Sequence, residues 1–467
     1  MNDVNNYKVI KSGIWFTASN FLMKSIGFIT TPIFTRIMSK TEYGDFNNFQ
    51  TWLMILLYVT SLDLEASLIR ACHEFKDDIE RYVFSIIALS MFSTGIWWLI
   101  FTIFEEYFTK TLLINPAYIN GMFLYLLFCP AINIFQNAER YKYKYKWTVL
   151  TSLTISVGAS LLSVGFVFLF QDKLFGRITG FIIPTILIGG AIVIYYLLKV
   201  KRIKFSYWKY ALPITLPYIP HLLSMYLLSN MDRVMIRSFC GPEYVALYSL
   251  AYTCGMLITI LVTSINNAFS PWLAENLSKK NYQSIHKISV PYVLMFSYAA
   301  FISVLFTPEI LYILGGTSYM EAKYVMPPVA AGCLLQFIYC MYVNIEQYEK
   351  KTIGMAFASL IAVLVNFVLN LIFIKKFGYV AAAYTTFVGY FILLLLHMFL
   401  VKKIGFSHVY DNRKILLIGC ITSLCIFLCN FLLDKMFIRY IVLFIFLLVG
   451  IWMIFKYRNK LKHIIHK

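Results

Sequence analysis

The sequence predicts an all-α integral membrane protein of about fourteen transmembrane helices: two pseudo-symmetric six-helix lobes and two extra C-terminal helices. Three observations carry this. The 467 residues are 60% hydrophobic and only 13% charged, with a mean hydropathy of +0.72. A soluble domain is about 45–50% apolar and about 25% charged. Apolar runs of about 20 residues recur along the whole chain, which is the length of a spanning helix, and they lack the alternation of barrel strands. Finally, the second half repeats landmarks of the first in the same order.

The spans fall at roughly 13–35, 46–68, 83–104, 118–139, 147–169, 176–198, 211–236, 243–270, 288–307, 325–345, 354–374, 379–400, 415–433 and 438–456. Lys8 and Lys11 precede the first, whose apolar run is too long for a signal peptide. The N-terminus is expected in the cytoplasm. Lys and Arg then concentrate in loops that would share that side, chiefly ERYKYKYK (139–146), KVKRIK (199–204) and the tail KYRNKLKHIIHK (456–467). This is the positive-inside distribution, and it places the C-terminus in the cytoplasm too. It also accounts for the net charge of +19, which would otherwise suggest nucleic-acid binding.

No connecting loop exceeds roughly 20 residues, so a soluble catalytic or nucleotide-binding domain has no place. There is no G-x-x-x-x-G-K-[ST] sequence. The 9 cysteines lie mostly within apolar runs. Cys333 with Cys340, and Cys425 with Cys429, lack nearby His or acidic partners and read as small buried or lipid-facing residues. No metal and no cofactor is expected.

The repeat is visible in three places. The first span ends T-R-I-M (Thr35 to Met38) and soon gives Glu42-Tyr43; the seventh ends D-R-V-M (Asp232 to Met235) and soon gives Glu243-Tyr244. Lys24 precedes Arg36 by the same interval as His221 precedes Arg233. Asp63 and Glu65 follow Glu42 as Ser264 and Asn266 follow Glu243. NAERYKYK (137–144) matches NIEQYEKK (344–351) at Asn, Glu, Tyr and the last Lys. An even number of helices per unit makes both halves cross in one direction, related by an axis along the membrane normal. The expected division is residues 1–198 for the N-terminal lobe, 199–210 for a basic cytoplasmic linker, 211–400 for the C-terminal lobe, and 401–467 for two extra helices and the tail.

Charges inside spans mark the candidate site, because lipid penalises them. Lys24 lies near mid-span, beyond the reach of snorkelling. Asn20, Lys24, Gly27, Thr31 and Thr35 follow a helical spacing and share a face. That face lines a wet cavity, or Lys24 is paired with a buried carboxylate. His221 is either a cavity base or a neutral histidine bonded to a hydroxyl. Pro213, Pro217 and Pro220 surround it, and Pro32 interrupts the first span, so both spans are expected to kink. Arg36, Arg233 and Arg237 lie near outer helix ends, as substrate-binding groups or interfacial anchors. Asp232 and Arg233 are neighbours pointing about 100° apart, so each should meet another helix rather than the other.

Asp63 and Glu65, with Arg70 beyond, are candidates for carrying protons or a coupling cation; they could equally be counter-ions. On a continuous helix Asp63 and Arg70 share a face. Glu139, Arg140 and the equivalent Glu346 read as an inner gate or as solvated helix ends. Asn266 is expected to line the cavity with Asn20 and Thr31. Cations outnumber acids in this set, which favours an anionic cargo. The planar fork of arginine suits phosphate.

G-I-W-F-T-A-S-N-F followed by T-R-I-M-S-K-T-E-Y-G-D-F, the later L-P-x-x-x-P, and S-N-M-D-R-V-M-I with E-Y-V-A-L-Y-S-L-A-Y together resemble the polysaccharide transporter family. This family belongs to the multidrug/oligosaccharidyl-lipid/polysaccharide exporter superfamily, and the nearest likeness is to Wzx-type flippases of O-antigen or capsule repeat units. The resemblance covers roughly residues 10–400. It implies a V-shaped, alternating-access flippase that moves undecaprenyl-pyrophosphate-linked oligosaccharide from the inner to the outer leaflet of the bacterial inner membrane. A basic lumen would receive the pyrophosphate while the prenyl chain stays in lipid. The positions matching its motifs are Arg36 and Glu42, then Asp232, Arg233 and Glu243. A monomer suffices. Membrane lipid, and a polysaccharide polymerase and chain-length regulator, are the implied partners. Proton or cation coupling is compatible with the acids above.

Two other readings use the same fold: a lipid II flippase, and a drug or metabolite exporter. A drug extruder would favour more acids and fewer bases in its lumen. A membrane polymerase or ligase would carry a large outer loop with catalytic residues, which this chain lacks.

Overall fold

The computed structural model describes residues 22–23, 25–142, 145–200, 202–217, 219–349 and 351–465. Among these residues the chain is helical throughout, without strands. Following a helix over 25–37 (α1) come α2 (Lys40–Thr60), α3 (Leu68–Glu74), α4 (Ile79–Ile103), α5 (Glu105–Leu112), α6 (Pro116–Tyr141), α7 (Tyr145–Leu169), α8 (Lys173–Val200) and α9 (Phe205–Thr215). Then follow α10 (Ile219–Phe239), α11 (Pro242–Ser278), α12 (Tyr282–Leu305), α13 (Thr307–Gly315), α14 (Met326–Tyr348), α15 (Thr352–Phe377), α16 (Val380–Lys403), α17 (Asn412–Leu428) and α18 (Met436–Ile465).

Ten of the described helices are long and apolar enough to cross a membrane, or up to 11 if α2 and the helix after it form one bent span. The chain is a multi-pass membrane protein. The difference from the fourteen expected spans has local causes. Much of the first span lies outside the described residues. The expected span 211–236 is not one helix: α9 stops at Thr215 and α10 starts at Ile219, across Pro217. Proline lacks the N–H that would continue the ladder. The second span is broken as well. Leu62 and Asp63 both adopt left-handed backbone, with φ of 56° and 46°, and the two segments bend by 47°.

Helix starts follow ordinary capping chemistry. Ser39 and Glu42 form a reciprocal capping box on α2, and Asn115 with Pro116 opens α6. Asp411 caps α17 by accepting from the Lys414 amide. Backbones approach closely where α7 meets α8. A Cβ on Gly180 would stand 2.3 Å from the Ser163 amide nitrogen, so only glycine fits. Gly176 and Gly180 form the small-x-x-x-small pattern that lets membrane helices touch.

The chain forms two compact units, residues 1–249 with 370–379, and residues 250–369 with 380–467. In the first, one core gathers Leu64, Leu68, Tyr82, Ile86 and Ile134, and another gathers Phe49, Leu53, Ile119, Met122 and Leu126. In the second, Phe296 stacks on Phe337 at 4.3 Å. Outward faces carry exposed Leu161, Phe168, Leu169 and Leu187, as lipid-facing surfaces do.

Candidate functional site

The quoted motifs meet at one joint of the first unit. Asp45 of α2 accepts from Arg237 Nε of α10 at 2.8 Å, and both side chains are about three-quarters buried. A Cβ on Gly44 would lie 1.8 Å from the Pro242 carbonyl oxygen. Thr41 donates to Glu243 across the same joint at 3.4 Å. Glu42, a motif residue, caps its own helix: its carboxylate accepts from the Ser39 amide at 2.7 Å. Arg177 of α8 is inserted behind α2. Its guanidinium lies 4.1 Å from the Phe34 ring centre, 4.7 Å from Tyr43 and 3.8 Å from Phe46. It is 7% exposed. Sequence reasoning missed Asp45 and Arg177. The aromatic spacing Phe34, Tyr43, Phe46 around the motif is their only local signal.

Asp232 and Arg233 do not pair with each other. Asp232 is fully buried. It accepts from the Tyr248 hydroxyl of α11 and, at 2.7 Å, from Asn370 Nδ2 of α15. Arg233 is half-buried. It donates from Nε to Ser249 at 3.2 Å and from Nη1 to Asn230 at 2.6 Å. The expectation that each meets another helix therefore holds.

The break after α2 places a second polar group. Asp63 is 7% exposed. Glu65 lies beside Asn133 of α6. Arg70 is exposed, and with the helix broken at Leu62 the spacing of seven no longer aligns it with Asp63. Tyr58 lies within electrostatic reach of Asp63 and Glu65, and Tyr226 within reach of Arg233. The two rings are 5.8 Å apart.

Other candidates are placed as follows. Arg36 is exposed and donates to the Pro32 carbonyl at 3.0 Å. Thr31 is buried and donates to the Gly27 carbonyl at 2.8 Å. Asn266 accepts from Asn344 at 2.8 Å. Glu139 pairs with Lys142 at 3.2 Å, while Arg140 is exposed. Glu346 is buried against His397. Asn20 and Lys24, and the side chain of His221, lie outside the described residues.

A groove of about 520 Å³ on the first unit has an apolar wall that includes Trp147, Leu187 and Ile188, and a charged end made by Glu80, Glu139, Lys142 and Lys199. Lys199 bridges Glu80 at 2.6 Å. In the second unit, Lys323 and Tyr324 both donate to Asp434 outside the spans. The Lys323 ammonium holds that carboxyl below the usual carboxylate range. Among the described residues, no three His, Cys, Asp or Glu side chains gather as a metal site.

Comparison with known proteins bears on this arrangement. The model of the polysaccharide biosynthesis protein family matches residues 9–277, more than half of the chain. The chain belongs to that family. A second family model, MatE, matches residues 217–372. Lsg locus putative protein 1 of Haemophilus influenzae is 22% identical over 364 residues, covering 74% of this chain and 86% of its own. A probable low-salt glycan biosynthesis flippase of Haloferax volcanii, Agl15, is 23% identical over 405 residues, covering 83% and 82%.

Among solved structures, the inward closed conformation of the lipid II flippase MurJ gives a TM-score of 0.72 at 15% identity, covering 96% of this chain and 100% of that one. An inward-facing multidrug resistance MATE transporter gives 0.59 at 14%, covering 83% and 95%. These likenesses show the all-helical exporter fold anticipated from the motifs. The relatives and neighbours so named are flippases and transporters, not enzymes.

Proposed function

We propose that this family member is a flippase for undecaprenyl-pyrophosphate-linked oligosaccharide repeat units of O-antigen or capsule type. It carries them from the inner to the outer leaflet of the bacterial inner membrane by alternating access, with both termini in the cytoplasm. The observation that carries the reading is the family match over residues 9–277. Its support is a chain made of apolar helices, with polar groups buried at Asp232 and at the break after α2.

Arg233, half-buried on α10 and bonded to Ser249 and Asn230, is proposed to meet the pyrophosphate through its planar fork. Lys24 is proposed to act with it. The cargo's prenyl chain stays in lipid. A polymerase and a chain-length regulator would receive the flipped unit.

Export of lipid II or of a drug or metabolite is the second reading. The MatE match over residues 217–372 is what favours it. Deleting the gene in its native strain separates the two. Repeat units accumulating on undecaprenyl pyrophosphate, with surface polymer lost, support the glycan flippase. A normal surface polymer with altered drug sensitivity overturns it.

A further inference from the structure

The repeat described from sequence treats Glu139 and Glu346 as equivalents, and the structure gives them different partners. Glu139, itself buried, meets the partly exposed Lys142 one turn on. Lysine is a permanent cation at ordinary pH. In the second copy that lysine position is taken by Glu349. Glu346 instead faces His397, from α16, with Nδ1 and Oε1 2.9 Å apart. The side chains are 2% and 1% exposed. The second carboxylate oxygen, Oε2, is buried with no hydrogen-bond partner among the described residues. The Tyr339 ring stacks on the imidazole at 5.6 Å. A fixed counter-ion in one repeat has thus become a titratable one in the other.

We propose that Glu346 and His397 form a single proton-binding site in the second unit. Its use in transport rests on the proposed function above; its existence does not. The accounting is simple. Glutamate and imidazolium together are neutral, and the N–H···O bond joins them. Losing one proton from Nε2 to water leaves neutral histidine beside a carboxylate, a net charge of minus one. Only an N–H bond breaks, and water takes the proton. A lone buried anion is penalised more heavily than a net-neutral ion pair, in which each charge offsets part of the other's desolvation. The closed α14–α16 contact buries both groups. Proton release requires a form that admits water to it.

Among the described residues, the side chains nearest the pair are uncharged at neutral pH. On α14 they are Tyr339, Cys340 and Tyr342, and on α16 Tyr390, whose ring stacks on Tyr339. Tyr342 donates to Asn412 of α17, and α12 contributes Tyr292. Tyrosine and cysteine are neutral near pH 7. Charged and titratable residues come next at the element ends: Glu349 and Lys351 after α14, Lys402 and Lys403 in the last turn of α16, and Asp411 before α17, which is bridged to Lys414 at 2.8 Å and lies 3.9 Å from His286 of α12. Among the described residues, His397 is the ion partner of Glu346.

The test reads the proton directly on the full chain, with no cargo. Protein labelled with 15N-histidine is reconstituted in lipid nanodiscs, and imidazole 15N shifts are followed from about pH 6 to about pH 8. His397 is assigned by difference from His397→Gln. The expected result is a His397 signal protonated on both nitrogens at neutral pH, becoming singly protonated in Glu346→Gln. A singly protonated His397 across the whole range in the wild type overturns the proposal.

A second readout covers variants that fold poorly. Export in cells is measured with and without an ionophore that collapses the pH gradient, in the wild type and in the double variant Glu346→Gln/His397→Gln, which keeps a neutral hydrogen-bonded pair. Loss of ionophore sensitivity in the double variant at normal membrane abundance supports coupling through this pair. Sensitivity equal to that of the wild type overturns it. If the chain exports something other than glycan, the spectroscopic result still decides whether the site exists.

Discussion

Arg237 Nε donates to Asp45 at 2.8 Å, joining residues 192 positions apart. The bond ties the motif that ends the first span to the one that ends the seventh. Asp45→Asn or Arg237→Gln should each lower stability by about 1–2 kcal/mol, as expected for a largely but not fully buried charge-assisted bond. The exchanged pair Asp45→Arg/Arg237→Asp should recover part of it. Thermal midpoints of the purified variants check this, and additive losses without recovery would mean the two charges act separately.

Gly44 is the tightest point of the same joint. Gly44→Ala pushes a methyl into the Pro242 carbonyl, and overpacking against backbone should cost more than about 2 kcal/mol. Gly27→Ala is the control, because a Cβ there meets nothing within 4 Å. Comparable membrane abundance for the two variants would show that the joint yields.

Asp232→Asn preserves shape and the acceptor for Tyr248 and removes the charge. Export should fall at least about tenfold, ~1.4 kcal/mol, at unchanged abundance. A drop of less than about twofold would leave Asp232 a structural residue.

Arg177 is held by three aromatic rings, on which a planar guanidinium stacks more fully than a compact ammonium. Arg177→Lys should therefore cost about 1–2 kcal/mol. Calorimetry on the detergent-solubilised protein decides, since an unchanged midpoint would assign the site to charge alone.

Lys24→Ala should reduce export without lowering membrane abundance. Arg233→Glu should damage export more than Arg233→Lys. Unchanged export removes Lys24 from the path, and equal effects at Arg233 make its position matter rather than its charge.

The class of the protein and its family were legible because lipid imposes strong rules on composition, and the motifs are contiguous in sequence. The partners of Asp232 were half legible. Helical geometry separates it from Arg233, but nothing local names Tyr248 or Asn370. The break at Leu62–Asp63 was not legible, because no glycine or proline marks it and a single aspartate is a weak signal for left-handed backbone. His397 went unnoticed in an apolar run, although an ionisable residue within a span is itself a signal. Its partner lies 51 residues away, a distance that no local pattern bridges.

The glycine contact between α7 and α8 limits how the first unit can deform. Helices that meet backbone to backbone leave no intervening side chains to repack, so sliding one along the other means climbing over the next residue. The two helices then move as one stiff plank. Flexure is easier where the ladder is interrupted, as it is at Leu62–Asp63 and at Pro217. A substitution that re-forms continuous helix at either one should freeze the protein in a single posture while leaving every packed surface intact.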